Sequence, residues 1–125
     1  LFNTKFDDPS GLSKNNISTA EDLFRLSSYI WKYKNYIFEV TKLKSFSNDR
    51  HTWYSNNRLK NEKTFIGGKN GYTDEARYTL ITAVDLPLGE LSKRKIAIVL
   101  LNGEKPDVDT RKIISHLLNN VYYTD

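Results

Sequence analysis

The sequence predicts an α+β domain, a three-stranded antiparallel sheet with flanking helices. Three observations carry this. A capped segment with apolar residues at helical spacing stands near the N-terminus, three β-patterned runs follow one another from Thr64, and a second amphipathic segment closes the chain. The connections between the β runs are short, which favours a meander. A length of 125 residues suits one domain with one modest core. We read it as a single domain over 1–125, with a loop and helical part over 1–45 and the sheet and C-terminal helix over 46–125.

Asn3 to Asn16 reads as ordered loop, because Asp7-Asp8-Pro9-Ser10-Gly11 is dense in turn formers, and Phe6 and Leu12 are placed to pin it to the core. Ser18-Thr19-Ala20-Glu21 reads as a capping box, with the Ser18 hydroxyl accepting from a backbone N–H three residues on and Glu21 reaching back. Glu21 and Asp22 also suit the positive end of the helix dipole. Leu23, Leu26, Ile30 and Tyr33 recur at helical spacing, so the helix runs from Thr19 to Tyr33. Tyr36 to Thr41 is β-branched and aromatic but short, and fits a strand or a short helix equally well. Lys42 to Asp49 is polar and irregular. His51 to Leu59 reads as a loop or short strand that anchors Trp53 and Tyr54.

Thr64 to Lys69, Ala76 to Leu86 and Lys95 to Asn102 are the three strands, with Pro87 to Arg94 connecting the second to the third. The apolar run of Lys95 to Asn102 suggests burial on both faces. A meander nevertheless leaves that strand at an edge, so a further strand or a second copy is expected beside it. Asp107 or Asp109 caps the final helix, whose buried stripe is Ile113, Ile114, Leu117, Leu118 and Val121.

Composition narrows function. Hydrophobic content of 38% and charged content of 27% are those of an ordinary globular chain. No apolar run is long enough to span a bilayer, and no signal peptide is visible. The chain opens at Leu1 and contains no Met, as expected of a mature product or a fragment. The absence of Cys excludes disulfides and thiol catalysis. His51 and His116 have no second ligand at metal spacing, so no metal or other cofactor is assigned. The net charge of +4 is spread along the chain and no nucleic-acid motif accompanies it, so a solvated basic face is the reading, with mild attraction to an anionic envelope polymer as its functional version.

The most distinctive stretch is Phe65-Ile66-Gly67-Gly68-Lys69-Asn70-Gly71-Tyr72-Thr73. Gly67, Gly68 and Gly71 strip side chains from the backbone and leave Lys69 standing between them. Such a stretch presents a fixed positive charge beside bare peptide groups, as a site for a small anionic or peptide-like ligand. A glycine-rich turn with an incidental lysine is the plainer alternative.

Two motifs resemble one family. Phe6-Asp7-Asp8-Pro9-Ser10-Gly11-Leu12-Ser13, then Asn16, then Ser18-Thr19-Ala20-Glu21-Asp22-Leu23, resembles the segment after the second active-site motif of the D-alanyl-D-alanine carboxypeptidases, the low-molecular-mass penicillin-binding proteins of serine peptidase family S11. Gly68-Lys69-Asn70-Gly71-Tyr72-Thr73-Asp74-Glu75-Ala76 resembles their Lys-Thr-Gly motif and its continuation. The resemblance spans essentially the whole chain and implies part of a β-lactamase/transpeptidase-like fold. It also implies acyl transfer outside the cytoplasmic membrane, in the periplasm or cell envelope. There a serine attacks the D-Ala-D-Ala amide of a peptidoglycan stem peptide, or a β-lactam.

That chemistry needs a Ser-x-x-Lys pair, a Ser-x-Asn triplet and the Lys-Thr-Gly strand. The resemblance makes Lys69 catalytic and Asn70, Gly71, Tyr72 and Thr73 substrate-binding, with Thr73 supporting the turn and Arg111 the nearest candidate for the substrate carboxylate. Asn70 stands where the family has Thr or Ser, so it keeps a donor and loses the hydroxyl. The other two motifs precede the Pro9-Ser10-Gly11 segment in the family and are not expected in this chain. Ser92-Lys93-Arg94-Lys95, Ser13-Lys14-Asn15 and Ser55-Asn56-Asn57 match their spacing in the wrong places and are read as surface residues. By itself the chain is expected to be inactive. It needs an N-terminal segment or self-association through strand 95–102 to complete it. A non-catalytic half-domain that binds peptidoglycan or a partner protein is the other reading, and a nucleic-acid partner is not expected.

Overall fold

A computed structural model describes residues 1–89 and 93–124. Helix α1 (Ala20–Tyr33) and the short α2 (Tyr36–Thr41) lead into a small hairpin, β1 (Ser45–Ser47) and β2 (Thr52–Tyr54). Strands β3 (Phe65–Thr73), β4 (Arg77–Leu86) and β5 (Arg94–Gly103) form an antiparallel sheet in that order, and α3 (Pro106–Asn120) closes the fold.

The two-residue period of β4 sorts the sheet into two faces. Leu80, Thr82, Val84 and Leu86 share one face with their partners Leu100, Ile98 and Ile96 on β5. Ile113, Ile114 and Leu117 of α3 cover this face, and Val84, Leu86, Leu88 and Ile98 are its buried centre. Leu59, Phe65 and Leu80 extend it toward the start of β3. Each such aliphatic side chain contributes about 1.5–3 kcal/mol by leaving water. The opposite face is narrower. Ala83 and Ala97 pair across β4 and β5 there, and α1 and α2 pack over it.

Several expectations are corrected. Of the two readings of Tyr36 to Thr41 the helix holds, and the short strand expected within His51 to Leu59 is β2, but the stretch read as irregular contains its partner β1. The cap of α1 is Thr19, whose hydroxyl oxygen accepts from the Asp22 N–H at 3.2 Å, while Ser18 bonds Thr4 instead. Tyr33 lies outside the packed stripe, 58% exposed against Tyr29, and Leu118 faces solvent. Lys105 begins α3 without a side-chain cap, and Pro106 takes the first turn, where its missing N–H is harmless. Asp107 is committed to ion pairs. On β5 only Ile98 is fully buried, so the expectation of burial on both faces fails. The small residues of the second face leave the strand half covered. Trp53 and Tyr54 are exposed and anchor nothing in the core.

The N-terminal residues are strapped to α1 through Asp22, only 2% exposed. Its carboxylate accepts from Thr4 Oγ1 at 2.8 Å, Asn3 N at 2.7 Å and Phe2 N at 3.3 Å. These donors, the Thr4 hydroxyl foremost, outweigh burial and hold Asp22 below its ordinary value of 3.8. A lowered folded-state pKa adds stability that is present above the unfolded value and lost as pH falls through the folded one. Asp22→Asn is therefore expected to lower the thermal midpoint at pH 7. The gap to the parent should narrow steadily in melts taken below pH 3.8.

Candidate functional site

Strand β3 begins with a bulge between Phe65 and Gly67, a device that re-aims the residues after it. Gly67 sits there at φ 144°, a conformation glycine alone adopts easily. A Cβ on it would meet the Phe38 carbonyl oxygen at 2.7 Å and the Phe38 Cα at 2.9 Å, so α2 lies directly on this backbone. A Cβ on Gly68 would overlap the Ile81 carbonyl. Gly71 is different, with only Thr79 Oγ1 nearby, at an ordinary 3.6 Å. The expectation that three glycines bare the strand for a ligand is thus narrowed to Gly71. At Gly67 and Gly68 the protein's own chain fills the space.

Beyond the bulge the register is regular, pairing Lys69 with Ile81, Asn70 with Leu80, Gly71 with Thr79 and Tyr72 with Tyr78. Lys69 and Gly71 share the face toward α1 and α2, and Asn70 and Tyr72 the face toward α3. Among the described residues β3 pairs only with β4. Gly68 turns its N–H to the outer edge, where Thr41 Oγ1 accepts it at 3.1 Å. The same period turns the Asn70 backbone outward, where its carbonyl accepts from Lys69 Nζ at 2.6 Å. Thr73 ends the strand, its hydroxyl oxygen accepting from the Ala76 N–H at 3.1 Å as a turn brace.

One cavity opens at this edge, and a second runs from the end of β3 across β4 to Leu101 and Asn102 of β5. A cleft of ≈ 400 Å³ separates Gly71, Tyr72 and Thr73 from the loop that carries Gly11 and Ser13. A groove of ≈ 500 Å³ separates Lys69 and Asn70 from the β1–β2 hairpin. The loop is held by its own hydrogen bonds. Asp8 accepts from Ser10, Asn16 and the N–H groups of Ser13 and Leu12, and Lys5 and Ile17 close its base. The Ser10 hydroxyl and then Asn16 hold the Asp8 carboxyl far below the usual aspartate range. Phe6 and Leu12, expected to pin this loop, are exposed, Leu12 by 72%.

The profile of the D-alanyl-D-alanine carboxypeptidases, peptidase family S11, matches residues 1–103. The chain belongs to this family. Penicillin-binding protein D2 of Listeria monocytogenes is similar in two crystal structures. Its ampicillin-bound form is 31% identical at a TM-score of 0.73, over 90% of this chain and 47% of that one. Its cefotaxime-bound form is 29% identical at 0.69, over 93% and 46%. A D-alanyl-D-alanine carboxypeptidase of Mycobacterium tuberculosis shares the fold at 24% identity and a TM-score of 0.66, over 94% and 48%. No curated protein matches the sequence. The chain spans about half the length of the structures it resembles.

Arg111 of α3 lines neither cavity. Its Nε donates to Glu62 Oε1 at 2.8 Å and its Nη1 to Asp107 Oδ2 at 3.1 Å. The Glu62 bond, with Asp107 behind it, raises the Arg111 pKa against partial burial. Burial pushes Asp107 up, but its own N–H, Arg111 and Arg58 hold it lower. Arg58, which the sequence did not single out, bonds Asp107 and Tyr78 Oη, each at 3.3 Å, and lies 5.0 Å over the Tyr78 ring. It shares a small recess with Asn70, a proximity that no local signal announces. Ser13 bonds Asp7 within the loop, and Ser55 accepts from the Asn57 N–H. Ser92, in the Ser-x-x-Lys lookalike, lies outside the described residues.

The glycines make a sharp pair for mutation. Gly67→Ala is expected to cost about 1–3 kcal/mol in urea unfolding, from strained backbone and the displaced Phe38. Gly71→Ala, with open space around it, should cost no more than about 1 kcal/mol.

Proposed function

We propose that this chain carries the substrate strand of a serine-type D-alanyl-D-alanine carboxypeptidase. The enzyme acts on peptidoglycan stem peptides outside the cytoplasmic membrane, and its nucleophile stands on polypeptide beyond this sequence. The observation that carries this reading is the outer edge of β3. There Lys69, Asn70 and Gly71 follow one another between two cavities, paired to β4 on one side and, among the described residues, to no strand on the other.

An extended peptide can add to such an edge as a further strand, its backbone hydrogen-bonding with the outward N–H and C=O groups of Asn70. Gly71 lets it approach without a side chain in the way. Lys69 supplies positive potential near the reacting carbonyl and the terminal carboxylate. The Asn70 amide donates to that carboxylate in place of the family's hydroxyl. Tyr72 and Thr73 continue the strand at the first cleft. Arg111 reaches the carboxylate by exchanging its Glu62 or Asp107 partner for it. In the reaction, serine Oγ adds to the carbonyl carbon of the penultimate D-Ala, the terminal D-Ala leaves with a proton, and water cleaves the ester to regenerate the serine. A β-lactam acylates the same serine. The similarity to ampicillin- and cefotaxime-bound relatives supports β-lactams as ligands of the complete site.

The outer edge of β5 is also unpaired among the described residues. We assign it to an N-terminal segment of the complete enzyme, or to a second copy of this chain.

Calorimetry with a stem-peptide analogue ending in D-Ala-D-Ala tests the strand. Lys69→Ala should weaken binding about tenfold, near 1.4 kcal/mol, and Arg111→Gln should weaken it less. Intact mass after incubation with ampicillin should show no adduct on this chain. A stoichiometric covalent adduct would overturn the assignment of the nucleophile elsewhere.

A further inference from the structure

We infer that the groove beneath the β1–β2 hairpin is a saccharide site, continuous with the Lys69 strand, that takes an N-acylated hexosamine of the glycan chain. In its choice of sugar it rests on the peptidoglycan reading above.

The hairpin is built around rings rather than aliphatic side chains. Phe46 and Trp53 are cross-strand partners and stack at 5.9 Å between centroids with 30° between planes. His51 meets Trp53 edge-on at 4.5 Å, which fixes the indole further. Both stacked rings stay about half exposed, and Tyr54 is 78% exposed. Rigid aromatic faces held at a surface are costly to leave in water and are suited to a ligand that is apolar on one side and polar on the other.

Val40 and Leu43 add aliphatic surface to the groove, and its remaining side chains are polar and almost uncharged. Ser45, Ser55, Asn56 and Asn57 contribute hydroxyls and amides, and Lys69, at the strand, is its one charged lining residue. Asn57 lies at the floor, between this groove and the recess beside Arg58. It is 4% exposed, and its Oδ1 accepts from the Leu59 N–H at 2.9 Å, whereas its Nδ2 is buried with no partner. A buried donor without an acceptor is rare in a folded chain and calls for a ligand group or a bridging water.

These features select the occupant. A pyranose lays its C–H face on an aromatic ring and turns its hydroxyls and acetamido carbonyl to amide donors. A phosphate or acidic peptide would need more cations than Lys69 alone. An apolar helix would cover Val40 and Leu43 but strand the hydroxyls and amides of Ser45, Ser55 and Asn56. Gly68, Lys69 and Asn70 line the groove and form the strand edge, so a sugar here and a peptide along β3 are neighbours.

The test titrates this chain with the N-acetylglucosamine tetramer, which carries no peptide, and follows tryptophan fluorescence and heat. Saturable binding is expected. Trp53→Ala should weaken it about tenfold or more, and Trp53→Phe should restore part of the loss. Asn57→Asp keeps the acceptor for Leu59 and removes the donor, so it should weaken sugar binding with a circular dichroism spectrum like the parent's. Trp31→Phe, on α1, should leave the affinity unchanged. Arg111→Gln, which lies outside the groove, should weaken the D-Ala-D-Ala peptide and spare the sugar. Absence of heat and fluorescence change at 10-millimolar order (about 10 mM) tetramer would overturn the inference. So would an affinity unchanged in Trp53→Ala, or burial of Trp53 by a second copy as concentration rises. Peptide binding retained without sugar binding sinks only this inference, and sugar binding retained without peptide binding sinks only the proposed function.

Discussion

The contact on which the site depends is the one between α2 and the first residues of β3. Phe38 lies against Gly67 so closely that not even a methyl group fits between them. Thr41, at the end of the same helix, accepts the Gly68 N–H and donates to the Phe38 carbonyl. The bulge at this point leaves one residue unpaired and turns the strand, so the direction of Lys69 through Thr73 follows from where α2 sits. An α2 displaced by an ångström would move the whole outer edge with it. Close packing passes such shifts on because the interior has no slack to absorb them.

Electrostatics secures the other wall. The loop opposite Gly71 contributes little to the core, and its shape comes from carboxylates that collect donors. Asp8 gathers Ser10, Asn16 and two backbone N–H groups, while Asp22 gathers the N–H groups of residues 2 and 3 and the Thr4 hydroxyl. Ionised carboxylates make these bonds stronger than neutral acceptors would. The same need explains the capping of α1. Asp22 is drawn to the N-terminal strap, Ser18 follows through Thr4, and Thr19 is left to accept the Asp22 N–H in the first turn of the helix.

Much of the architecture was legible because it rests on local pattern. The strands announce themselves by β-branched alternation, the two long helices by apolar spacing, and the Lys69 motif by its glycines. What escaped depends on partners distant in sequence. Nothing around Gly67 says that Phe38 will occupy the space it vacates. Arg111 looked free to receive a carboxylate, and only the fold brings Glu62, 49 residues away, onto it. Arg58 carries no motif and acquires interest from Tyr78 and Asp107. The exposed aromatics of β1 and β2 misled for the opposite reason. Trp and Tyr are read as anchors by default, although an amphipathic ring is equally at home on a surface that receives a ligand.

The strand period bears finally on Asn70. Lys69 and Asn70 are neighbours in sequence but stand on opposite faces of β3, so no ligand lying on one face alone can meet both side chains. A ligand that meets both must run along the edge, where the outward backbone groups of Asn70 already point. In that position a threonine hydroxyl would sit close to the strand, while a carboxamide reaches about one bond farther and carries two donors. The longer reach brings Asn70 into the recess shared with Arg58 and Asn57, beside the start of α3. A carboxamide here therefore moves hydrogen-bonding capacity away from the strand edge and toward the α3 face, where Arg58 lies over the Tyr78 ring.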